Sequence, residues 1–260
     1  MEGEPTDRRI PRSVLLAFKV LEAVADQQPI GVGALSRGLN LPKSTVQRAL
    51  RGLEFAGYVY QSDDLARWSL TIRAFRLGSR VQELDLRTVA LPEMQRLLAE
   101  TLDAVQLGIL DGHEVVIVEK VDSPQPVRAY SERGSTLPAW NTASGRVLIA
   151  EFTDPDLDDL LRRSLEGRYP PRPEDADVLR RELRRVQQQG WAGNDGELSD
   201  DVAAVAAAVR DASGRPVASL CVTAPTIRLR RRDHPELARK VVAAADRISR
   251  RLGWDQPLSV

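Results

Sequence analysis

Between Pro42 and Ala56 the chain carries side chains suited to reading a nucleic-acid groove. Val46, Leu50 and Leu53 recur at helical spacing and make one apolar face. Lys43, Ser44, Thr45, Gln47, Arg48 and Arg51 fall on the rest of that surface. Arginine forks onto guanine and glutamine onto adenine, while lysine, serine and threonine reach phosphates. The partial positive charge of a helix amino terminus adds attraction for the backbone. A merely solvated helix presents the same residue types, so the elements around this face must decide between the two.

Those elements favour the groove reader. Val14, Ala17, Phe18, Leu21 and Val24 predict a helix over Ser13–Ala25, with Ser13 as its cap and Gln27-Gln28-Pro29 beyond its end. A short helix follows over Val32–Arg37, with Gly38 available as a left-handed stop. Pro42 suits the first turn of the third helix, which ends at Gly57. Tyr58-Val59-Tyr60 and Trp68-Ser69-Leu70 read as two strands around Ser62-Asp63-Asp64. Three helices and a hairpin, in that order, make a winged helix-turn-helix, with Arg67 on the wing placed to follow an adjacent phosphate. Net charge over the whole chain is zero, yet residues 8–80 carry a surplus of seven positive charges. A basic module on an acidic body is the electrostatic footprint of a phosphate-binding part.

From Thr71 to Leu91 the spacing of Leu77, Val81, Leu84 and Leu91 predicts a connecting helix with one apolar stripe, and Pro92 opens another helix to about residue 103. Beyond it the pattern changes. Val105–Leu110 and Val115–Val121 flank Asp111-Gly112, a hairpin signal, and a further strand is expected near Val127–Tyr130. Helices are expected at about Ser144–Phe152, Pro155–Leu165, Glu174–Gln189 and Pro235–Leu252. Ala204–Arg210 and Pro216–Thr223 read as a strand pair, although the alanines of 203–209 leave a helix in competition. The fold class is therefore α+β. Residues 1–70 form a winged helix-turn-helix, 71–91 a linker helix and 92–260 a carboxy-terminal α/β sensor domain.

Catalysis and metal binding find little support. His113 and His234 stand in unrelated contexts, and Cys221 lies in an apolar stretch that suits a small packed hydrophobe. No Cys-x-x-Cys, His-x-x-x-His, Walker or dinucleotide glycine pattern occurs. No enzyme activity, cofactor or metal is expected. The longest apolar runs, such as Val202–Val209, are too short to span a bilayer, and residues 1–12 lack a signal peptide's apolar stretch. The expectation is a cytoplasmic protein without membrane partners. Only four of the 37 basic residues are lysine, which suggests a GC-rich bacterial genome. Arg230-Arg231-Arg232 reads as a solvated helix entry.

The stretches Leu41-Pro42-Lys43-Ser44-Thr45-Val46-Gln47-Arg48 and Leu53-Glu54-Phe55-Ala56-Gly57-Tyr58-Val59 resemble the winged helix of IclR-type (isocitrate-lyase-regulator) transcriptional regulators. Asp111-Gly112-His113-Glu114-Val115-Val116 looks like that family's first sensor hairpin. Leu137-Pro138-Ala139-Trp140-Asn141-Thr142-Ala143-Ser144-Gly145-Arg146 looks like its segment entering the helix beside the ligand pocket. Gly190-Trp191-Ala192 and Ala218-Ser219-Leu220-Cys221-Val222-Thr223-Ala224-Pro225 match its later strands, so the likeness covers about residues 12–253.

The resemblance implies a GAF-like sensor for a small organic molecule, often a carboxylate or aromatic acid. Thr142, Ala143, Ser144 and Gly145 open a helix whose N–H groups and hydroxyls can hold an anion, or form an ordinary capped start. Trp140 can stack on an aromatic effector or pack in the core, and Asn141 lies beside it. By analogy Asn194 and Asp195 face the pocket from a loop, while Cys221 and Thr223 line its floor from one strand. Ala204 stands where relatives often carry a polar side chain, which points to a more apolar ligand or a reshaped pocket. Function then follows as an effector-controlled, sequence-specific DNA-binding regulator, with an effector-independent DNA- or partner-binding module as the alternative. The resemblance also implies a homodimer, or a dimer of dimers, on a near-palindromic double-stranded operator.

Overall fold

The computed structural model describes residues 11–62, 66–78, 83–165, 167, 169–171 and 175–254. The first apolar pattern folds as α1 (Arg12–Gln27), which starts one residue before Ser13 and has Pro11 at its cap. A two-residue strand, β1 (Ile30–Gly31), leads into α2 (Val32–Gly38). Gly38 is helical, and the left-handed residue of the turn is Asn40, with φ 50°. Asparagine tolerates that region better than most residues, so the turn does not need the glycine. The Ser36 hydroxyl donates to the Leu41 carbonyl at 2.6 Å and ties the turn off.

Next come α3 (Lys43–Phe55), β2 (Val59–Gln61) and β3 (Arg67–Leu70). The wing is a three-stranded antiparallel sheet of order β1-β3-β2, one strand more than the hairpin the sequence suggests. Val20, Val24, Leu35, Val46, Leu50 and fully buried Trp68 form its core. That core uses the apolar face of α3, so the opposite face is left outside. The residues expected at the hairpin tip, Asp63 and Asp64, lie outside the described residues.

Two further helices follow, α4 (Ile72–Gly78) and α5 (Glu83–Thr101). Pro92 lies inside α5 and does not open it. Leu86, Ala90, Met94 and Leu97 are buried on both sides of it, so packing carries the helix through the missing N–H. Val81 lies outside the described residues, and Leu77 is exposed. The chain divides into two compact units, Met1–Leu84 and Asp85–Val260.

The second unit is built on a six-stranded antiparallel sheet of order β6-β5-β4-β9-β8-β7. Its strands are β4 (Ala104–Asp111), β5 (Glu114–Val121), β6 (Thr136–Pro138), β7 (Trp191–Asp195), β8 (Val202–Arg210) and β9 (Pro216–Pro225). Residues 127–130 are not a strand; the third hairpin partner is β6, paired with β5 through Val115 and Leu137. On one face α5 and α9 (His234–Arg251) pack over Leu107, Val205, Leu220 and Val222. The other face carries α6 (Ala143–Leu148), α7 (Asp154–Ser164) and α8 (Asp175–Gln189).

The alanine-rich stretch is the strand β8, not the competing helix. Ala203, Val205, Ala207 and Val209 turn to α5 and α9, while Ala204, Ala206 and Ala208 turn to the α6 side. Alternating burial on both faces is what a central strand needs, and it overrides alanine's helical preference. Small side chains on the second face let α6 approach closely. Gly145 completes that approach: a Cβ there would lie 2.0 Å from the Ala139 carbonyl oxygen. The architecture is a winged helix-turn-helix joined to a GAF-like α/β sensor with a curled sheet.

Candidate DNA interface and effector cavity

The outward face of α3 gathers the residues expected to read DNA. Lys43, Ser44, Arg48 and Arg51 are exposed, and Thr45 and Gln47 are half-buried beside them. Arg51 is partly committed: it pairs with Glu54 at 2.6 Å and its guanidinium lies 5.6 Å from the Trp68 ring centre. Arg48 makes no ion pair or hydrogen bond among the described residues, so its fork is available. Arg67 starts β3, where its exposed side chain stands on the wing and its carbonyl accepts from Ser62 N–H at 2.8 Å. Arg73 at the foot of the wing stacks on Tyr58, 5.4 Å from the ring centre, a contact the sequence did not announce.

The second candidate site is a cavity of about 250 Å³ inside the sensor unit. Its floor is the sheet: Gln106 from β4, Cys221 and Thr223 from β9, and Ala204 with Val202 from β8. Thr142, Ala143 and Ser144 enter from the start of α6, and Asn194 from β7. Tyr130, Ser131, Leu198 and Ser199 reach in from two loops, with Tyr169 at another edge. No lining side chain carries a formal charge.

The polar groups on the floor are wired together. Gln106 is buried and its Nε2 donates to Ser131 Oγ at 2.9 Å and to Thr223 Oγ1 at 3.2 Å. That leaves Gln106 Oε1 as an acceptor and both hydroxyl protons as donors for an occupant. The Thr142 hydroxyl is already used twice, donating to the Pro138 carbonyl and accepting from Gly145 N–H. Asn194 Nδ2 donates to the Asn141 carbonyl at 3.1 Å, and its Oδ1 accepts from Glu197 N–H. Burial pushes the Cys221 thiol up to about 12, against a lesser lowering by a hydrogen bond to Ser144. At neutral pH it is a protonated wall, not a nucleophile.

Of the residues expected around an effector, Thr142, Ala143, Ser144, Asn194, Ala204, Cys221 and Thr223 line this cavity, and four do not. Trp140 is packed in the core of the α6 side, with Nε1 donating to the Tyr169 carbonyl at 3.1 Å. Asn141 lies just outside and bonds the Glu197 carbonyl. Gly145 is sealed against Ala139. Asp195 is the last residue of a strand rather than part of a loop, so alternation turns it to the opposite side from Asn194. Gln106 was missed, though a lone glutamine in the apolar run Ala104-Val105-Gln106-Leu107 was a legible signal.

Comparison with known proteins places both units in one family. A model of the IclR helix-turn-helix domain matches residues 13–63, and one of the bacterial transcriptional regulator IclR C-terminal domain matches residues 78–250. The chain belongs to the IclR family. The regulator KdgR of Escherichia coli is 32% identical over 248 residues, covering 93% of each chain. The repressor AllR of Salmonella typhi is 29% identical over 261 residues, covering 99% of this chain and 96% of that one. Among solved structures, the IclR regulator of Alicyclobacillus acidocaldarius is 25% identical with a TM-score of 0.77, covering 94% of this chain and 100% of that one. An IclR homologue from Microbacterium hydrocarbonoxydans, solved with 4-hydroxybenzoate, is 24% identical with a TM-score of 0.78, covering 92% and 98%. The chain is thus a bacterial DNA-binding transcriptional regulator of the IclR type, with a carboxy-terminal effector-binding domain. No described helix is long and apolar enough to cross a membrane.

Proposed function

We propose that residues 1–70 read a near-palindromic operator as part of a homodimer, that 71–91 connect, and that 92–260 sense a small organic acid with a largely apolar or aromatic body. The observation that carries the sensing half is the cavity itself: a partly open, uncharged space whose lining offers one amide oxygen and two hydroxyl protons. A carboxylate or phenol on a compact apolar body matches that donor set and volume. The DNA half rests on Lys43, Ser44, Thr45, Gln47, Arg48 and Arg51 of α3, with Arg67 on the wing. Val14, Leu15 and Phe18 on α1 and Leu77 on α4 are exposed apolar side chains that suit pairing of two copies. The protein acts by binding alone, in the bacterial cytoplasm, without a cofactor.

Fluorescence anisotropy with labelled DNA from the region beside its own gene tests the reading. Tight, salt-sensitive binding over random DNA is expected, with a Tm rise on adding an acid such as 4-hydroxybenzoate. Binding no tighter than to random DNA, for that region and for operators selected from a random pool, would refute the DNA half. A panel of organic acids that leaves Tm unmoved would refute the sensing half.

A further inference from the structure

The strand β7 walls two hollows. Asn194 faces the effector cavity, whereas Trp191, Gly193 and Asp195 face a second hollow of about 360 Å³ whose wall is charged. Arg146 of α6, Arg185 of α8, Arg231 and His234 supply its cationic and imidazole groups, and Glu182, Asp195 and Glu197 its carboxylates. Most of these charges cancel in pairs. Glu197 holds Arg146, and Glu182 holds Arg185 at 2.9 Å. Arg231 makes no ion pair among the described residues, and Asp195 is exposed at the rim.

Two buried polar atoms in this wall have no hydrogen-bond partner among the described residues: Arg146 Nε and His234 Nε2. Both residues are nearly closed off, at 6% and 4% exposure. Arg146 gives one terminal nitrogen to the Gly193 carbonyl at 3.3 Å and the other to Glu197, so Nε is its one nitrogen without a partner among the described residues. The His234 ring is wedged against the strand, because a Cβ on Gly193 would lie 2.5 Å from Nδ1. Burial lowers its basicity, with Asp195 opposing that effect. Protein interiors seldom leave such groups unpaired, and a guanidinium N–H is best met by an anionic oxygen. The unpaired Arg231 adds a cation at the same place.

We propose that this hollow is a second small-molecule site, separated from the effector cavity by β7, which takes a compact oxyanion (phosphate or carboxylate) on Arg146, Arg231 and His234. The exposed Asp195 at its rim favours an occupant that also carries a hydroxyl or amino donor. The two sites are linked through Glu197, which pairs with Arg146 and donates its N–H to Asn194 of the effector cavity.

The chain has two histidines, so imidazole NMR of the full-length protein reads this site directly. Inorganic phosphate and acetate are titrated separately at fixed pH and matched ionic strength. A saturable shift of the His234 ring with His113 unmoved is expected, weakened about tenfold in Arg231→Ala. The effector-cavity variant Ala204→Leu should leave it unchanged, which separates this site from the sensing cavity. A response to phosphate alone assigns a phosphoryl ligand, and a response to acetate a carboxylate. Absence of a saturable shift with either anion overturns the proposal, as does equal affinity in Arg231→Ala or a parallel drift of both histidines.

Discussion

The face of α3 and the sensor cavity differ in how they are assembled. The α3 face is local: thirteen consecutive residues supply both the buried stripe and the exposed arginine and glutamine side chains. The cavity is non-local, for Gln106 and Thr223 meet across adjacent strands although 117 positions separate them. The exposed positions of a local surface, such as Arg48, tolerate substitution without loss of fold, because they add little to the buried core. A pocket built between sheet and helix shares its walls with the core, so the same change costs stability as well as binding.

That contrast can be broken most forcefully at Gly145. A methyl group there meets backbone 2.0 Å away at Ala139, so Gly145→Ala should destabilise the sensor unit by about 3 kcal/mol in urea unfolding. A loss below about 1 kcal/mol would mean that α6 shifts freely, and that the cavity is not rigidly framed. Gln106→Leu comes next. It strips Ser131 and Thr223 of their common donor and should cost about 1 kcal/mol, with a larger loss of ligand-induced stabilisation. Unchanged ligand response would remove the floor network from the account.

A smaller effect sharpens the contrast at Glu119, whose buried carboxylate accepts from Arg87 at 2.6 Å and from Arg133 at 3.4 Å. Burial alone would raise its pKa, but the bonds from Arg87 and the Lys120 N–H, with the Arg87 and Arg133 charges, hold it below 4.5. Its folded pKa is therefore depressed, so its stabilisation is present above pH 4.5 and is lost as pH falls through the folded value. Glu119→Gln should narrow its stability gap from wild type in acid; a gap that widens there would contradict the sign. The least effect is expected at Cys221, where the buried thiol should resist iodoacetamide in the native protein and react after unfolding. Rapid native alkylation would show that the cavity floor opens.

The same contrast explains what the sequence made legible. The winged helix could be read because its signals are periodic and adjacent: Val46, Leu50 and Leu53 fix one face, and Gly57 supplies the left-handed stop at φ 80°. The sensor's strands were legible where turn residues bracket them, as around Asp111-Gly112. Pro92 misled because tertiary burial of Ala90 and Met94 outweighs a local helix breaker. Trp140 was ambiguous in sequence, since a core tryptophan and a stacking platform are the same residue type. Asp195 was misplaced because only strand alternation, invisible until β7 is paired with β8, sends it away from Asn194. The second hollow was not legible, because Arg146, Glu197 and His234 are joined only by the fold.

The separation of reading from sensing is tested most directly by a double dissociation in one assay pair. Operator affinity by anisotropy across salt, and ligand-induced Tm shift with small organic acids, are measured for wild type, Arg48→Ala and Ala204→Leu. Arg48→Ala should lose operator affinity by about tenfold to a hundredfold while keeping the ligand shift. Ala204→Leu should abolish the shift while ligand-free protein still binds operator. Full operator affinity in Arg48→Ala, or an intact ligand shift in Ala204→Leu, would contradict the assignment of these two regions.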